Sequence, residues 1–323
     1  MADSTGFASG RLLVVAFEGW NDAGEAASNA VRTLEEQLEL VPITTVDPED
    51  YFDYQFNRPN ISLDDDGNRV IEWPSVTMYG PADLESSDVV PLAADAELAV
   101  TGDNGANVYL LVGTEPSRGW KTFVLEILEA VDTHGITAVV FLGAMLADVP
   151  HTRPISVFVS SENPSVRERL SIERSSYEGP VGILSVIADA AERVGIPTLS
   201  IWASVPHYVH HAPSPKAMLA LIDKLEELTD VTIPRGDLVS EAAVWEASIN
   251  DLASDDEEMA SYIVQLEQAR DTVDSPEASG EAIAQEFERY LRKSNTDGKA
   301  GDGRDGKPGD GRGDEPWRPP SAS

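Results

Sequence analysis

Several features common in proteins are absent from this sequence of 323 residues. It has no cysteine, which excludes disulfides, thiolate nucleophiles and cysteine-ligated zinc. It has no apolar run of the roughly 18–20 residues that span a bilayer. The N-terminal stretch MADSTGFASGR has neither the basic opening nor the apolar core of a signal peptide. We therefore predict a cytoplasmic protein without membrane contact.

Basic residues are few. The chain has 23 lysines and arginines against 57 acidic residues, which gives a formal net charge of −34. Such a surface repels phosphate backbones and anionic lipids, so we predict no binding of nucleic acid or membranes. The charge also opposes self-association unless the interface is apolar or locally basic.

The common nucleotide and nucleophile motifs are missing. No GxSxG elbow occurs. The segment EGWNDAG follows an apolar run, as a phosphate loop does, but Glu25 stands where a P-loop has lysine. It has two glycines where the dinucleotide fingerprint needs three, and Asp22 would repel phosphate at the start of a helix. We predict no cofactor.

A metal site is also not expected. His207 and His211 have the i, i+4 spacing of a helical ligand pair, with His210 between them. Prolines bound the segment on both sides and no HExxH-type pattern occurs, so the sequence predicts no metal.

Four loops, each directly after an apolar run, concentrate the unusual residues. They cover residues 18–24, 114–120, 144–154 and 204–215. If the four runs are parallel strands, the loops share the sheet edge at which open α/β folds build their sites. The predicted functional cluster there consists of Trp20, Asn21, Asp22, Glu115, Arg118, His151, Thr152, Arg153 and His207.

Strand and helix patterns alternate along the first two thirds of the chain, which predicts an α/β fold with a mostly parallel sheet flanked by helices. Residues 70–80 are expected to form an edge strand, because Pro74 has no N–H to donate. The predicted strands are residues 11–17, 43–47, 70–80, 95–102, 107–113, 137–143, 155–160 and 198–203. The predicted helices between them are residues 23–39, 119–134, 166–170 and 181–194.

The organisation changes after about residue 215, where only helical patterns follow. Between residues 241 and 289 there are 14 acidic residues and 2 basic ones. We predict an α/β core domain over residues 1–235, an acidic helical extension over 236–294 and a disordered Gly/Asp/Arg-rich tail over 295–323. The helices of the extension are predicted over residues 238–252, 257–273 and 278–293, and a further helix precedes them over residues 217–228.

Two interpretations of the first loop stay open. Asn21 or Asp22 is an N-cap for the following helix, with Trp20 packed over it. Alternatively, these residues belong to a binding site at the loop edge.

The third loop also has two interpretations. His151 and Arg153 could bind an anion, or His151 could act as a general base. The structural alternative is that Arg153 forms a salt bridge to Asp148, Glu115 or Asp22 and so holds the loops together.

The aromatic residues Tyr51, Phe52, Tyr54 and Phe56 lie between polar turns. Exposed tyrosines are common in protein interfaces, so this stretch is a candidate contact surface. The alternative is that these side chains cover the sheet edge within one subunit.

Five segments carry a resemblance to a known family: FEGWNDAGEAA, GTEPSRGW, GAMLADVPHTRP, YEGPVGIL and WASVPHYVHHAPSPKAMLAL, in this order. In combination they resemble the proteasome assembly chaperone two family, in particular its actinobacterial branch with a helical C-terminal extension. The likeness covers roughly residues 11–290.

The resemblance implies a fold similar to that of nucleoside phosphorylases and related hydrolases. It also implies a cytoplasmic homo-oligomer, for instance a trimer, that binds partner proteins such as proteasome subunits without established catalysis. Archaeal and eukaryotic relatives often dock on proteasome α-rings through a C-terminal hydrophobic–tyrosine–any-residue motif, whereas this sequence ends in PPSAS. The family motifs include Trp20, Asn21 and Asp22 on the first of these loops and His151, Thr152 and Arg153 on the third.

The first hypothesis is therefore a non-catalytic, protein-binding, assembly-chaperone-like homo-oligomer. The alternative is an enzyme or ligand sensor, of the hydrolase or phosphorylase kind, that uses the loop cluster. A pocket on which His151, Arg153 and Glu115 converge would favour the alternative. A packed, salt-bridged loop cluster beside an exposed apolar patch would favour the first hypothesis.

Overall fold

The computed structural model describes most of the chain between residues 10 and 274. The described residues are 10–64, 67–82, 107–209, 212–229 and 231–274. Several predictions fall outside them: the strand 95–102, the helix 278–293, the tail 295–323, and the side chains of His210 and His211. The chain divides into two compact units, residues 1–270 and residues 271–323.

Strands and helices alternate as the sequence predicts. The elements in chain order are β1 (Arg11–Glu18), α1 (Ala26–Gln37), β2 (Val41–Thr45), β3 (Asn60–Leu63), β4 (Arg69–Glu72), β5 (Val76–Gly80), β6 (Val108–Thr114), α2 (Trp120–Thr133), β7 (Ile136–Ala147), β8 (Val157–Ser160), α3 (Pro164–Leu170), α4 (Ile183–Arg193), β9 (Thr198–Pro206), α5 (Pro215–Thr229), α6 (Leu238–Ser254) and α7 (Glu257–Asp274). The helices α1 to α5 have between 7 and 15 residues, a length at which an isolated helix is marginal in water, so tertiary packing stabilises them.

A seven-stranded sheet organises the first compact unit, in the order β2-β5-β6-β1-β7-β9-β8. The four central strands β6, β1, β7 and β9 are parallel. The outer strands β5 and β8 are antiparallel to their inner neighbours. The predicted α/β class is confirmed, and the four loops that follow β1, β6, β7 and β9 lie at one edge of the sheet.

Helices cover both faces of the sheet. Residues 12–17 of β1 are buried and alternate between two cores. The even-numbered side chains pack with α1 and α5, and the odd-numbered ones pack with α2 and α4. A strand buried on both faces has a continuous apolar sequence, which explains the run LLVVAF.

The predicted edge strand over residues 70–80 is wrong. Two strands form instead, β4 and β5, with Pro74 in the break between them. β4 pairs with β3 in a separate two-stranded sheet, whereas β5 lies inside the main sheet between β2 and β6. The chain approaches β6 so closely at this break that a Cβ on Gly113 would lie 2.0 Å from the Ser75 carbonyl oxygen.

Two strands are longer than predicted. β7 continues to Ala147 and β9 to Pro206, because the two extensions pair with each other from Ala144↔Ala203 to Ala147↔Pro206. In contrast, α1 begins at Ala26, three residues later than predicted. Gly24 and Glu25 have positive φ angles of 61° and 50°, so the α-helix cannot include them.

The division into three segments at residues 235 and 294 stays a prediction. Within the first compact unit, α6 contacts α5, and Leu238 belongs to the core that α1 and α5 share. None of the helices in the described part of the chain combines the length and apolar character that a membrane span requires.

We expect Gly113→Ala to destabilise the protein strongly. The atoms that the new methyl group would meet are the backbone of Ser75 and Val76, which cannot move without breaking the β5–β6 pairing. The expected loss is about 3 kcal/mol in the free energy of unfolding, measured by urea denaturation. The control is Gly67→Ala, at a turn with φ of 80° and no described atom within 4 Å, where only the backbone conformation costs about 1 kcal/mol. Equal losses in the two variants would contradict the close approach.

Candidate functional site

Asn21 connects three loops of the sheet edge. Its side chain is buried, and Nδ2 donates to Glu115 Oε1 at 3.2 Å. The same Glu115 oxygen accepts the backbone N–H of Ile183, at the start of α4, at 2.7 Å. The carbonyl oxygen of Asn21 accepts the N–H of Ala144, on β7, at 2.8 Å. We call these four residues the Asn21 junction.

The junction depends on a glycine. A Cβ on Gly182 would lie 2.3 Å from Nδ2 of Asn21. The absence of a side chain there lets the N-terminus of α4 approach Asn21. Glu115 also places a carboxylate at the positive end of α4, which stabilises that helix terminus.

Asp22 caps α1, as one of the two interpretations predicts. Its Oδ1 accepts the N–H groups of Ala27 at 2.7 Å and Ser28 at 3.2 Å. Burial raises the pKa of Asp22, while these hydrogen bonds favour the ionised form and oppose the rise. Asn21 does not share this role, because its side chain contacts Glu115 instead.

Two of the nine predicted site residues lie apart from the buried contacts. Trp20 is 62% exposed, so it does not pack over α1 as the capping interpretation expected. Arg118 donates to the carbonyl oxygens of Glu49 at 2.7 Å and Asp50 at 3.2 Å. It therefore holds the segment before Tyr51 rather than the other loops.

His151 is fully buried and hydrogen-bonded on both sides of its ring. Its Nδ1 lies 2.9 Å from the hydroxyl of Tyr208, and its Nε2 lies 3.1 Å from Oδ1 of Asn250 on α6. The backbone N–H of His151 also donates to the Tyr208 hydroxyl at 2.8 Å, and its carbonyl oxygen accepts from Lys216 Nζ at 2.5 Å.

These hydrogen bonds indicate that the imidazole of His151 is neutral and carries its proton on Nε2. The Tyr208 oxygen accepts the backbone N–H, so its own proton is directed to Nδ1, and the amide oxygen of Asn250 accepts from Nε2. Burial lowers the pKa of His151 and raises the pKa of Tyr208 to about 12. His151 is thus a neutral structural group in this arrangement.

Ion pairs connect the same loops to the C-terminal helices. Arg153 Nη1 lies 3.3 Å from Glu267 Oε1 on α7, and the hydroxyl of Thr152 donates to the same carboxylate. Lys216 pairs with Glu246 on α6. Among the described residues, the carboxylate that pairs with Arg153 is therefore Glu267 of α7 rather than Asp148, Glu115 or Asp22, which were considered from sequence.

His207 lies with the residues around His151 because of the side chains that it contacts. Its Nδ1 lies 3.2 Å from Asp148 Oδ1, and its ring stacks edge-on against Tyr208 and Tyr262. We call the set formed by His151, Thr152, Arg153, His207, Tyr208, Lys216, Glu246, Asn250 and Glu267 the His151 cluster.

The structure thus separates the predicted site into two parts. Asn21, Asp22 and Glu115 lie in and beside the Asn21 junction, and His151, Thr152, Arg153 and His207 lie in the His151 cluster. Sequence reasoning missed Asn250, Glu246 and Glu267, which come from helices about 100 residues away. It could have found Tyr208 and Gly182, since both lie within the family-like segments VPHYV and YEGPVGIL.

A small pocket of about 120 Å³ lies next to the His151 cluster. It is lined by Tyr208 and Val209, by four residues of α6 and α7 and by Asp256 between these helices; the four are Ile249, Leu252, Ala253 and Met259. Small-molecule sites are usually about 300–1,000 Å³. His151, Arg153 and Glu115 do not line this pocket, and within the described ranges no group of three or more acidic or histidine side chains could hold a metal ion.

Fold and site together define a class: an α/β protein whose loop edge is closed by its own polar side chains and by C-terminal helices. The chain belongs to the PAC2 family, whose sequence model matches residues 16–253. This confirms the resemblance found in the motifs. Among proteins with curated functions, none matches the sequence.

Solved structures of other proteins are also similar to this chain. A PAC2 family protein from Streptomyces avermitilis is 40% identical, with a TM-score of 0.67, over 78% of this chain and 99% of its own. A proteasome-assembly chaperone homologue from Mycobacterium tuberculosis is 38% identical, with a TM-score of 0.64, over 78% of this chain and 99% of its own. PbaB from Pyrococcus furiosus, an archaeal proteasome activator, is 12% identical over 75% of this chain and 93% of its own, and its TM-score of 0.55 shows a shared fold.

We expect Glu115→Ala and Glu115→Gln to differ in stability. Alanine leaves the Asn21 amide and the Ile183 N–H without their acceptor, which costs about 2 kcal/mol or more in the free energy of unfolding. Glutamine keeps an oxygen at the same place and should lose less than half of that. Urea denaturation of both variants at pH 7 measures the difference, and equal losses would show that the acceptor oxygen is unimportant.

We expect the stability of the protein to fall between pH 7.5 and pH 5.5 partly because of His151. Its pKa is lowered in the folded state, so below the ordinary value of 6.5 the unfolded chain binds the proton more readily. The stability that neutral His151 contributes is complete above pH 6.5 and is lost as the pH falls towards the lowered pKa. In His151→Gln, which has no titrating ring, the free energy of unfolding should depend less on pH over this range. An unchanged pH dependence would contradict the assignment.

Proposed function

We propose that this PAC2 family member is a non-catalytic, cytoplasmic protein that binds partner proteins in the manner of an assembly chaperone and acts as a homo-oligomer. The observation that supports the proposal most is that polar side chains of the loop edge are already hydrogen-bonded to other residues of the protein. His151 is fully buried and bonded to Tyr208 and Asn250, and Glu115 is bonded to Asn21 and Ile183. Groups so engaged are unsuited to general acid–base chemistry on a substrate, which needs direct access.

Proteasome subunits are the proposed partners. The support comes from relatives: one solved structure is a proteasome-assembly chaperone homologue and another is an archaeal proteasome activator.

Trp20 is the proposed contact residue at the loop edge. It lies between the half-buried Glu18 at the end of β1 and the buried Asn21, yet its side chain is 62% exposed. An exposed tryptophan on a rigid support is the side chain that most often dominates the binding energy of an interface. The other polar residues of the loop edge then hold Trp20 in place rather than contact the partner.

A binding experiment tests this proposal. The tagged chain is mixed with purified proteasome α subunits from the same organism, and the dissociation constant is measured by biolayer interferometry. We expect binding by the wild type and a loss of about 30-fold or more in Trp20→Ser, the effect of removing a dominant contact. The matched control is Leu125→Ser, which should bind as the wild type does, because this side chain is 66% exposed but lies within α2 rather than in a loop.

The proposal would be contradicted in two ways. Equal binding by the two variants would reject the contact at Trp20. Absence of binding to α subunits, with no change in the yield of assembled proteasomes when the chain is co-expressed with α and β subunits, would reject the proteasome as the partner.

A further inference from the structure

The contact between α6 and the loop edge includes a buried ring that has only neutral hydrogen-bond partners. His151 is fully buried, and its ring bonds to the hydroxyl of Tyr208 at 2.9 Å and to the amide oxygen of Asn250 at 3.1 Å. The ring of Trp245 lies edge-on at 6.4 Å from the imidazole. Because Asn250 and Trp245 both belong to α6, this helix rests on the imidazole of the loop after β7.

The charged side chains described around this ring are paired with one another. Lys216 at the start of α5 pairs with Glu246 of α6, and Arg153 of the same loop as the ring pairs with Glu267 of α7. Both carboxylates act on the imidazole from a distance, and so does the ammonium group of Lys216, with the opposite sign. Since each carboxylate of this set already faces a cation, none is left over to stabilise an imidazolium ion.

A second proton on the ring of His151 would meet a hydrogen-bond donor. The Tyr208 oxygen accepts the backbone N–H of His151 at 2.8 Å, so its own hydrogen is directed to Nδ1. In the imidazolium ion Nδ1 is also a donor, and the hydroxyl group has to turn away and lose its acceptor. A buried charge without compensation is costly as well. Burial lowers the pKa of His151 for this reason, and the closed arrangement favours the neutral ring.

α6 is held by little apolar packing. Four of its 17 residues are buried, against six of the 12 residues of α1. The four are Leu238, Ala242, Ile249 and Ala253, so two of them are alanines with little surface to bury. Asp237 at the N-terminus of α6 makes no side-chain capping hydrogen bond. Elements with few buried apolar contacts open at a lower free energy than core strands do.

A contact that disfavours a proton and a weakly packed helix thus occur at the same place. We propose that α6 is a latch on the loop edge that opens locally when His151 takes up a proton. In the open state the imidazole reaches water, and α6 gives up the bond to Asn250 and the ion pair between Lys216 and Glu246. Opening exposes the ammonium group of Lys216, whose side chain is 17% exposed when α6 is in place. This inference concerns regulation of the loop edge and does not depend on which partner binds there.

The direction of the pH effect follows from the state that binds the proton more tightly. In the open state His151 has about its ordinary pKa of 6.5, whereas in the closed state its pKa is lower. The closed state therefore has its full advantage above pH 6.5 and loses it as the pH falls towards the lowered pKa. For one proton, the opening equilibrium constant rises by about tenfold at most between pH 7.5 and pH 5.5.

Native-state hydrogen exchange of the full chain, followed by mass spectrometry, tests the latch. Peptides of α6 and of β1 are compared at pH 7.5 and pH 5.5, with each rate divided by the intrinsic rate at that pH. We expect amides of α6 to exchange faster than amides of β1 at both pH values. The protection factor of α6 should fall by about five- to tenfold from pH 7.5 to pH 5.5. In His151→Gln, which has no titrating ring, the fall should be about twofold or less.

A second variant keeps the histidine and changes its partner. Asn250→Asp places a carboxylate next to Nε2, which favours the imidazolium ion in the closed state. The fall in protection of α6 should then shrink to about twofold or less although His151 is present. The matched control is His134→Gln at the C-terminal end of α2. Burial and Arg11 lower the pKa of His134 too, yet its loss should leave the response of α6 unchanged.

Four results would overturn the proposal. If α6 and β1 exchange at the same rate, α6 opens only when the whole protein unfolds. If protection of α6 in the wild type does not fall with pH, there is no switch. A fall that persists in His151→Gln, or in Asn250→Asp where the first variant does not fold, assigns the response to another group. If His134→Gln removes the response as well, acid weakens the whole protein and the assignment to His151 is wrong.

Discussion

The loop edge depends on the two hydrogen bonds that the side chain of Glu115 accepts. One carboxylate oxygen accepts from the Asn21 amide and from the first N–H of α4, so the loops after β1 and β6 and the start of α4 are fixed relative to each other. Asn21 in turn accepts from Ala144 and continues the β1–β7 contact beyond the regular strand pairing. Glu115 is half-buried, and its carboxylate is stabilised by the two donors, whereas the buried Asn21 amide would carry a desolvation cost if it lost this acceptor. The side chains therefore act as a unit.

The C-terminal helices α6 and α7 also contact residues of the loop edge. Asn250 of α6 bonds to His151, Glu246 pairs with Lys216, and Glu267 of α7 pairs with Arg153. The acidic character of this region is thus not only a solvated surface, because two of its carboxylates meet the few cations near the loops. Each of these pairs is partly exposed, so its own contribution is of the order of 1 kcal/mol or less. The buried, neutral His151 gives the contact its specificity, since its two hydrogen bonds require both Tyr208 and Asn250.

The sequence predicts the sheet and the clustering of the loops well, because both follow from local patterns. The apolar runs of β1, β6, β7 and β9 identify the parallel strands, and their C-terminal ends must share an edge. The prediction fails for residues 70–80, where alternation continues through Pro74 although a close approach of Ser75 to Gly113 divides the strand. It also could not pair Arg153 with Glu267 or His151 with Asn250, because these contacts depend on how α6 and α7 pack and leave no local pattern.

Net charge limits what the surface of this molecule can bind. With 57 acids against 23 bases, most of the surface opposes contact with another copy, and it also opposes acidic ligands. Arginine and lysine side chains near the loops are already engaged: Arg118 with the carbonyl groups of Glu49 and Asp50, and Lys216 with Glu246. The surface that is left for association must be apolar. Trp20 at the loop edge, whose side chain is 62% exposed beside the buried Asn21, is an apolar side chain of that kind, which is why the proposed contact with a partner protein is assigned to it.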